Sequence, residues 1–206
     1  MSKSPLLVLH LVGLALSVGS VLALDLRLVR LLCGGRIAPE DLGFAAFLKP
    51  LVRAGLVLLW ISGLGFLVLG HLNGSDLLAN PKLHAKVAIV AVLTLNGVAV
   101  ERHAFGALAR NVGRRLFDGL SQGQAARLLL VAAVSAAGWY AALVMGAVRE
   151  LNVLAGAEVF LLAYGGLVAG AAGLLWGIKR LVYDAGDAAA EAGPLQAVPS
   201  PQAQPS

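Results

Sequence analysis

The chain has 206 residues, of which 59% are hydrophobic and only 13% charged, and its mean hydropathy is +0.84. A soluble domain carries about 25% charged residues, so this composition excludes one and calls for lipid around the chain. The net charge of +5 does not signify nucleic acid, because the basic residues cluster in short loops between apolar runs and only 6% of residues are aromatic, too few for a stacking platform.

Hydropathy predicts an all-α, polytopic membrane helix bundle with five transmembrane helices, formed by residues 1–183. The expected spans are roughly Leu6–Leu24, Leu51–Gly70, Ala85–Val100, Leu128–Val148 and Val159–Ile178. The first runs straight into Asp25-Leu26-Arg27 and lacks a small-x-small cleavage site, so it reads as a retained helix and not a signal peptide. Its polar and small residues His10, Gly13, Ser17 and Ser20 fall on one side. Small residues there leave room for another helix or a flat ligand.

The second span carries Lys49, Arg53, Trp60, Gly63 and His71 along one stripe. The third opens at NPKLHAKVAIV, Asn80 to Val90, with two lysines and a histidine at its lip. Helical phase puts Lys86 with Asn96, Gly97, Glu101 and His103 on one broad face, and turns His84 away from it. The fourth span brings Ser135, Gly138 and Trp139. The fifth has Gly166, Gly170, Gly173 and Gly177 at a spacing suited to close helix contact. Residues 184–206 are rich in Ala, Pro, Gln and Ser and read as a disordered cytoplasmic tail. With a single cysteine, Cys33, no disulfide framework is possible.

Loop charge orients the bundle. Of the 16 basic residues, 12 fall on the side that holds the first and third loops and the C-terminus. Lys3, Lys82, Lys86 and Arg149 fall on the other. The positive-inside rule then predicts an outer N-terminus and a cytoplasmic C-terminus in a bacterial inner membrane. On that topology His10, His71, His84 and Lys86 gather near the outer surface from three helices, and His103 lies opposite.

Ionisable groups inside membrane helices face a bundle interior or a cavity, and imidazole is the commonest side-chain metal ligand. His10 therefore has two readings. It is hydrogen-bonded to a neighbouring helix, or, as we favour, it ligates a cofactor. His71 and His84 are expected at the interface, with ligation as their alternative. Lys86 either snorkels to headgroups or serves the site. Lys49 and Arg53 anchor the helix or bind an anionic group such as a propionate or lipid headgroup. Copper would call for thiolate and thioether ligands, and the chain has only Cys33, Met1 and Met145. Zinc would need three or four close ligands, and carboxylates near the outer histidines are limited to Asp76 and Glu158. An iron porphyrin needs one or two axial ligands and an apolar slot.

At Leu83-His84-Ala85-Lys86-Val87, together with His10, the chain resembles a superfamily of small membrane proteins. It holds the bacterial membrane-embedded, haem-J-type protoporphyrinogen oxidases and the copper-resistance D-like proteins. The resemblance covers the first three spans and implies a b-type haem held by His10 and Lys86. Two stretches depart from the oxidases. Their first helix is aromatic-rich and followed by Leu-Pro-Arg, where this chain has VLALDLRLVRLLCGG, Val21 to Gly35. Their later histidine is missing from LTLNGVAVE, Leu93 to Glu101. Together these features predict a membrane haem b protein for electron transfer or porphyrinogen- or quinone-linked redox chemistry. Its partners would be the bilayer, a membrane quinone or a redox protein, as a homo-oligomer or in a larger complex. The alternatives are a cofactor-free structural subunit of a membrane complex and, less favoured, a permease.

Overall fold

A computed structural model describes residues 3–74, 80–148 and 156–184. The chain is all-α. Five of its helices are long and apolar enough to cross a membrane: α1 (Ser4–Leu32), α2 (Pro39–Leu72), α3 (Pro81–Arg110), α4 (Gln122–Ala147) and α5 (Ala157–Asp184). The expected tail beyond Asp184 lies outside the described residues, as does Asp76.

The helices run well past the hydropathy limits, because polar groups at their ends are satisfied locally. α1 continues through Arg27 and Arg30 to Leu32, where a loop was expected. α2 starts at Pro39, which fits the first helical turn because its missing N–H is not needed there. Asp41 then closes the junction. Its carboxylate accepts from the Ala38 N–H at 2.8 Å, from Arg27 at 2.7 Å and from Arg30 at 2.5 Å, and its side chain is only 3% exposed. The intervening turn needs a left-handed residue, which Gly34 supplies at φ 89°. α3 begins at a capped end, where the Asn80 side chain accepts from the Lys82 N–H at 3.0 Å. It does not stop near Val100, as its hydropathy suggested. It passes through a π-helical segment, Val100–Phe105, and continues to Arg110. Glu101 lies in that segment and pairs with Lys49 at 3.0 Å and with Arg53, so the charge does not end the helix.

α1 and α2 cross closely because small residues meet. A Cβ on Gly13 would lie 2.8 Å from the Gly55 carbonyl oxygen, and one on Gly55 would lie 2.6 Å from the Gly13 carbonyl oxygen. The small stripe of α1 therefore admits a helix there, not a flat ligand. α4 approaches α3 at Gly138, where a Cβ would meet Leu93 at 2.6 Å.

One end of the bundle is sealed by its own core of Leu31, Leu32, Ile37, Leu116, Phe117, Leu129 and Tyr183. The two connecting segments there pair through Ile37, which donates to the Arg114 carbonyl at 2.9 Å and accepts from Gly113 at 2.8 Å. Tyr183 locks α5 to α1 by donating to the Leu31 carbonyl at 2.5 Å.

Candidate functional site

The opposite end, where α1 and α3 begin and α2 and α4 finish, is open inside. A cavity of about 700 Å³ lies between these four helices. That falls within the ~300–1,000 Å³ range of ligand and cofactor sites. Leu7, Leu11, Leu14, Leu59, Leu64, Leu67, Val87, Val90 and Leu143 make most of its wall. Gly63, Ala142, Gly146 and Ala147 keep it wide, and Trp60, Phe66 and Trp139 supply flat aromatic faces. Trp60 is held by its indole N–H, which donates to Thr94 Oγ1 at 3.1 Å.

Few polar groups reach this cavity, and their chemistry is uneven. His10 comes from α1, Lys82 and Lys86 from α3, and Asn80 from the cap of α3. Among the described residues no carboxylate lines it. His10 lies about 9 Å from the start of α1 and Lys86 about 7.5 Å from the start of α3, at 1.5 Å per residue, so they sit at similar depths.

The hydrogen bonds around Ser62 point to one tautomer of His10. Nδ1 lies 2.8 Å from Ser62 Oγ, and the ring packs edge-on against Phe66. Ser62 is fully buried, and its hydroxyl sits 2.6 Å from the Leu58 carbonyl oxygen. A hydroxyl has one proton. With that proton on the Leu58 carbonyl, Ser62 Oγ accepts from the Nδ1 proton, and Nε2 keeps its lone pair. A histidine held at one nitrogen by a second residue, with the other nitrogen basic, is the usual state of a metal-binding imidazole.

The cations divide by role. Lys82 is buried and donates from Nζ to the Val148 carbonyl at 2.7 Å, at the end of α4. Lys86 is half-buried, and no described residue accepts a hydrogen bond from it. No group of three or more metal-ligating side chains forms among the described residues.

The other expected site residues lie elsewhere. His71 and His84 are exposed and do not line the cavity. His71 closes α2, and His84 sits two positions from Lys86, on another side of α3. Arg53 is also exposed, two turns of α2 away from Trp60, and its guanidinium is engaged by Glu101. It is therefore an interhelical anchor between α2 and α3 and not a group beside the cavity. The inward face expected for α3 splits in two. Glu101 turns to α2, and Asn96 donates to the Val131 carbonyl of α4 at 3.1 Å.

Ser62, Lys82 and Asn80 were missed from sequence as members of the site. Ser62 carried the clearest signal, as a lone hydroxyl inside LVLLWISGLGF. No family model, curated protein or solved structure matches the chain.

Proposed function

We propose that the protein is an integral membrane b-type haem protein, with the cofactor in the His10 cavity. The observation that carries this is the Ser62–His10 pair at 2.8 Å on the wall of a 700 Å³ apolar cavity, which suits a tautomer with Nε2 unprotonated. The residues fit the group. His10 and, as a neutral amine, Lys86 would hold the iron, and Lys82 and Asn80 would offer N–H donors to the group's carboxylates. The bound group would supply one-electron transfer. The chain would fix its ligands, keep water away with leucine and valine walls, and set its potential through the cations beside it. Electron transfer with a membrane quinone or partner protein, or porphyrinogen oxidation, is the corresponding activity. Titrating haem b into haem-free protein tests the fit. The Soret absorbance is expected to saturate at one equivalent. A linear rise without saturation would show only partition into the detergent.

We also propose that the N-terminus lies outside a bacterial inner membrane and the C-terminus in the cytoplasm. The basic majority at the Cys33 end supports this. Cys33 is the sole cysteine and is exposed. In intact spheroplasts, a membrane-impermeant maleimide should leave Cys33 unlabelled until the cells are lysed. Labelling before lysis would reverse the orientation.

A structural-subunit role has one observation in its favour. Gly166, Gly170 and Gly173 on α5 are exposed, and a Cβ on any of them would meet nothing within 4 Å. The stripe is thus unused inside the chain and suits a helix from another chain or a second copy. On that view Gly170→Leu should leave the monomer folded and abolish co-purification of the partner. Unchanged assembly would remove this support.

A further inference from the structure

A second cavity lies towards the sealed end of the bundle, between α1, α2, α3 and α4. It measures about 150 Å³. That volume is enough for a benzene ring. Its walls are largely apolar and include Phe44, Phe105 and Ala132, and the π-helical segment of α3 supplies one side. Such segments recur at functional sites. Two of the polar groups on its wall are Asp25 and Ser135.

Asp25 lies on the inward face of α1, one turn from buried Val21. It is about 10 Å inside the α1 terminus at Leu32, at 1.5 Å per residue. No described residue donates a hydrogen bond to its carboxylate. Arg27, which also lines the cavity, and Arg30 both bond to Asp41. With Asp25 ionised, these two arginines and two aspartates sum to zero, and the Lys49 ammonium, 5.1 Å from the Phe105 ring of the cavity wall, is paired with Glu101, which Arg53 also engages. A cationic guest would add an unmatched charge in apolar surroundings, which is costly. A neutral guest with an O–H would instead give the carboxylate its missing donor without changing the charge.

We infer that the Asp25 cavity is a binding site for a neutral, single-ring aromatic hydroxyl compound, whose O–H donates to the Asp25 carboxylate. The ring would fill the cavity between Phe44 and Phe105, and Ser135 would be available to a second polar substituent. Two sources share this chemistry, the hydroquinone headgroup of a membrane quinol and a free phenol. The site is separate from the His10 cavity, and its occupancy does not depend on haem there.

The test uses haem-free, full-length protein in quinone-free phosphatidylcholine nanodiscs. Saturation-transfer NMR measures the binding of phenol, anisole and benzylammonium. Phenol should bind at least tenfold more tightly than anisole, because only phenol can donate to the carboxylate. It should also bind more tightly than benzylammonium. Asp25→Leu should erase the phenol–anisole difference, and Ala132→Phe should fill the space and remove both. Equal binding of phenol and anisole, a preference for benzylammonium, or no binding of any probe would overturn the proposal. That comparison needs only the wild-type chain, so a variant that fails to fold leaves it decisive. A decyl-tailed hydroquinone separates the sources. Binding as tight as that of phenol supports a membrane quinol, and exclusion of the tailed compound supports a free phenol. The readout contains no haem signal, so it cannot be confused with failure of the haem proposal.

Discussion

Gly55→Leu should leave almost no folded protein. Gly55 sits where α2 crosses α1, and a Cβ there would lie 2.6 Å from the Gly13 carbonyl oxygen and 2.9 Å from the Ser17 backbone nitrogen. Both neighbours are backbone, so neither can swing aside. Relief requires the helices to separate, which would break the packing of Gly13 and Ser17 and widen the whole crossing. Overpacking a tight core commonly costs about 1–3 kcal/mol, and here the obstruction is backbone, so the loss should reach or exceed about 3 kcal/mol. Thermal unfolding in mild detergent checks this. Gly97→Leu is the matched control, because a Cβ on Gly97 meets nothing within 4 Å. That variant should melt close to the wild type. Similar melting of the two variants would mean that α1 and α2 do not meet at Gly55.

His10→Ala should remove haem binding while leaving the bundle folded. The substitution deletes the residue proposed to hold the iron and its bond to Ser62. The structural cost is one half-buried hydrogen bond, about 0.5–1.5 kcal/mol, which a bundle of this size should survive. The cost to the cofactor is far larger, because no other described histidine lines the cavity. Ser62→Ala gives the finer test. It keeps His10 but frees Nδ1, so the ring can rotate and change tautomer. Loss of such a supporting partner typically weakens ligation by about 10–100-fold. Haem titrations of the two variants should therefore rank His10→Ala below Ser62→Ala, and both below the wild type. A variant order in which Ser62→Ala has no effect would deprive the Ser62–His10 bond of its role in ligation.

Much of the architecture could be read from apolar runs alone, because each span needs only length and hydropathy to declare itself. Phase also carried information. It grouped Gly13, Ser17 and Ser20 on one side of α1, and all three are buried. It turned Lys86 inward and His84 outward, and Lys86 lines the cavity while His84 is exposed. The helix ends were harder. Arg27, Arg30 and Asp41 look like loop charges until the fold brings both arginines onto the buried Asp41 carboxylate. Yet Ala38-Pro39-Glu40-Asp41 carried a start signal, with proline in the first turn and acids close behind it. The pairing of Arg53 with Glu101 was hidden for a related reason. Each was placed by its own helix, and what determines its role is a partner 48 positions away. Gly55 and Ser62 depend on α1 in the same way. Pairings between distant helices leave little trace in a single sequence.

The central claim is that the His10 cavity holds haem. The most direct measurement is the dithionite-reduced minus oxidised visible spectrum of the protein, purified in mild detergent from haem-supplied cells. The expected result is a sharp b-type α-band with a Soret difference, at a haem content near one per chain. A flat spectrum from protein shown to be folded by circular dichroism would contradict it.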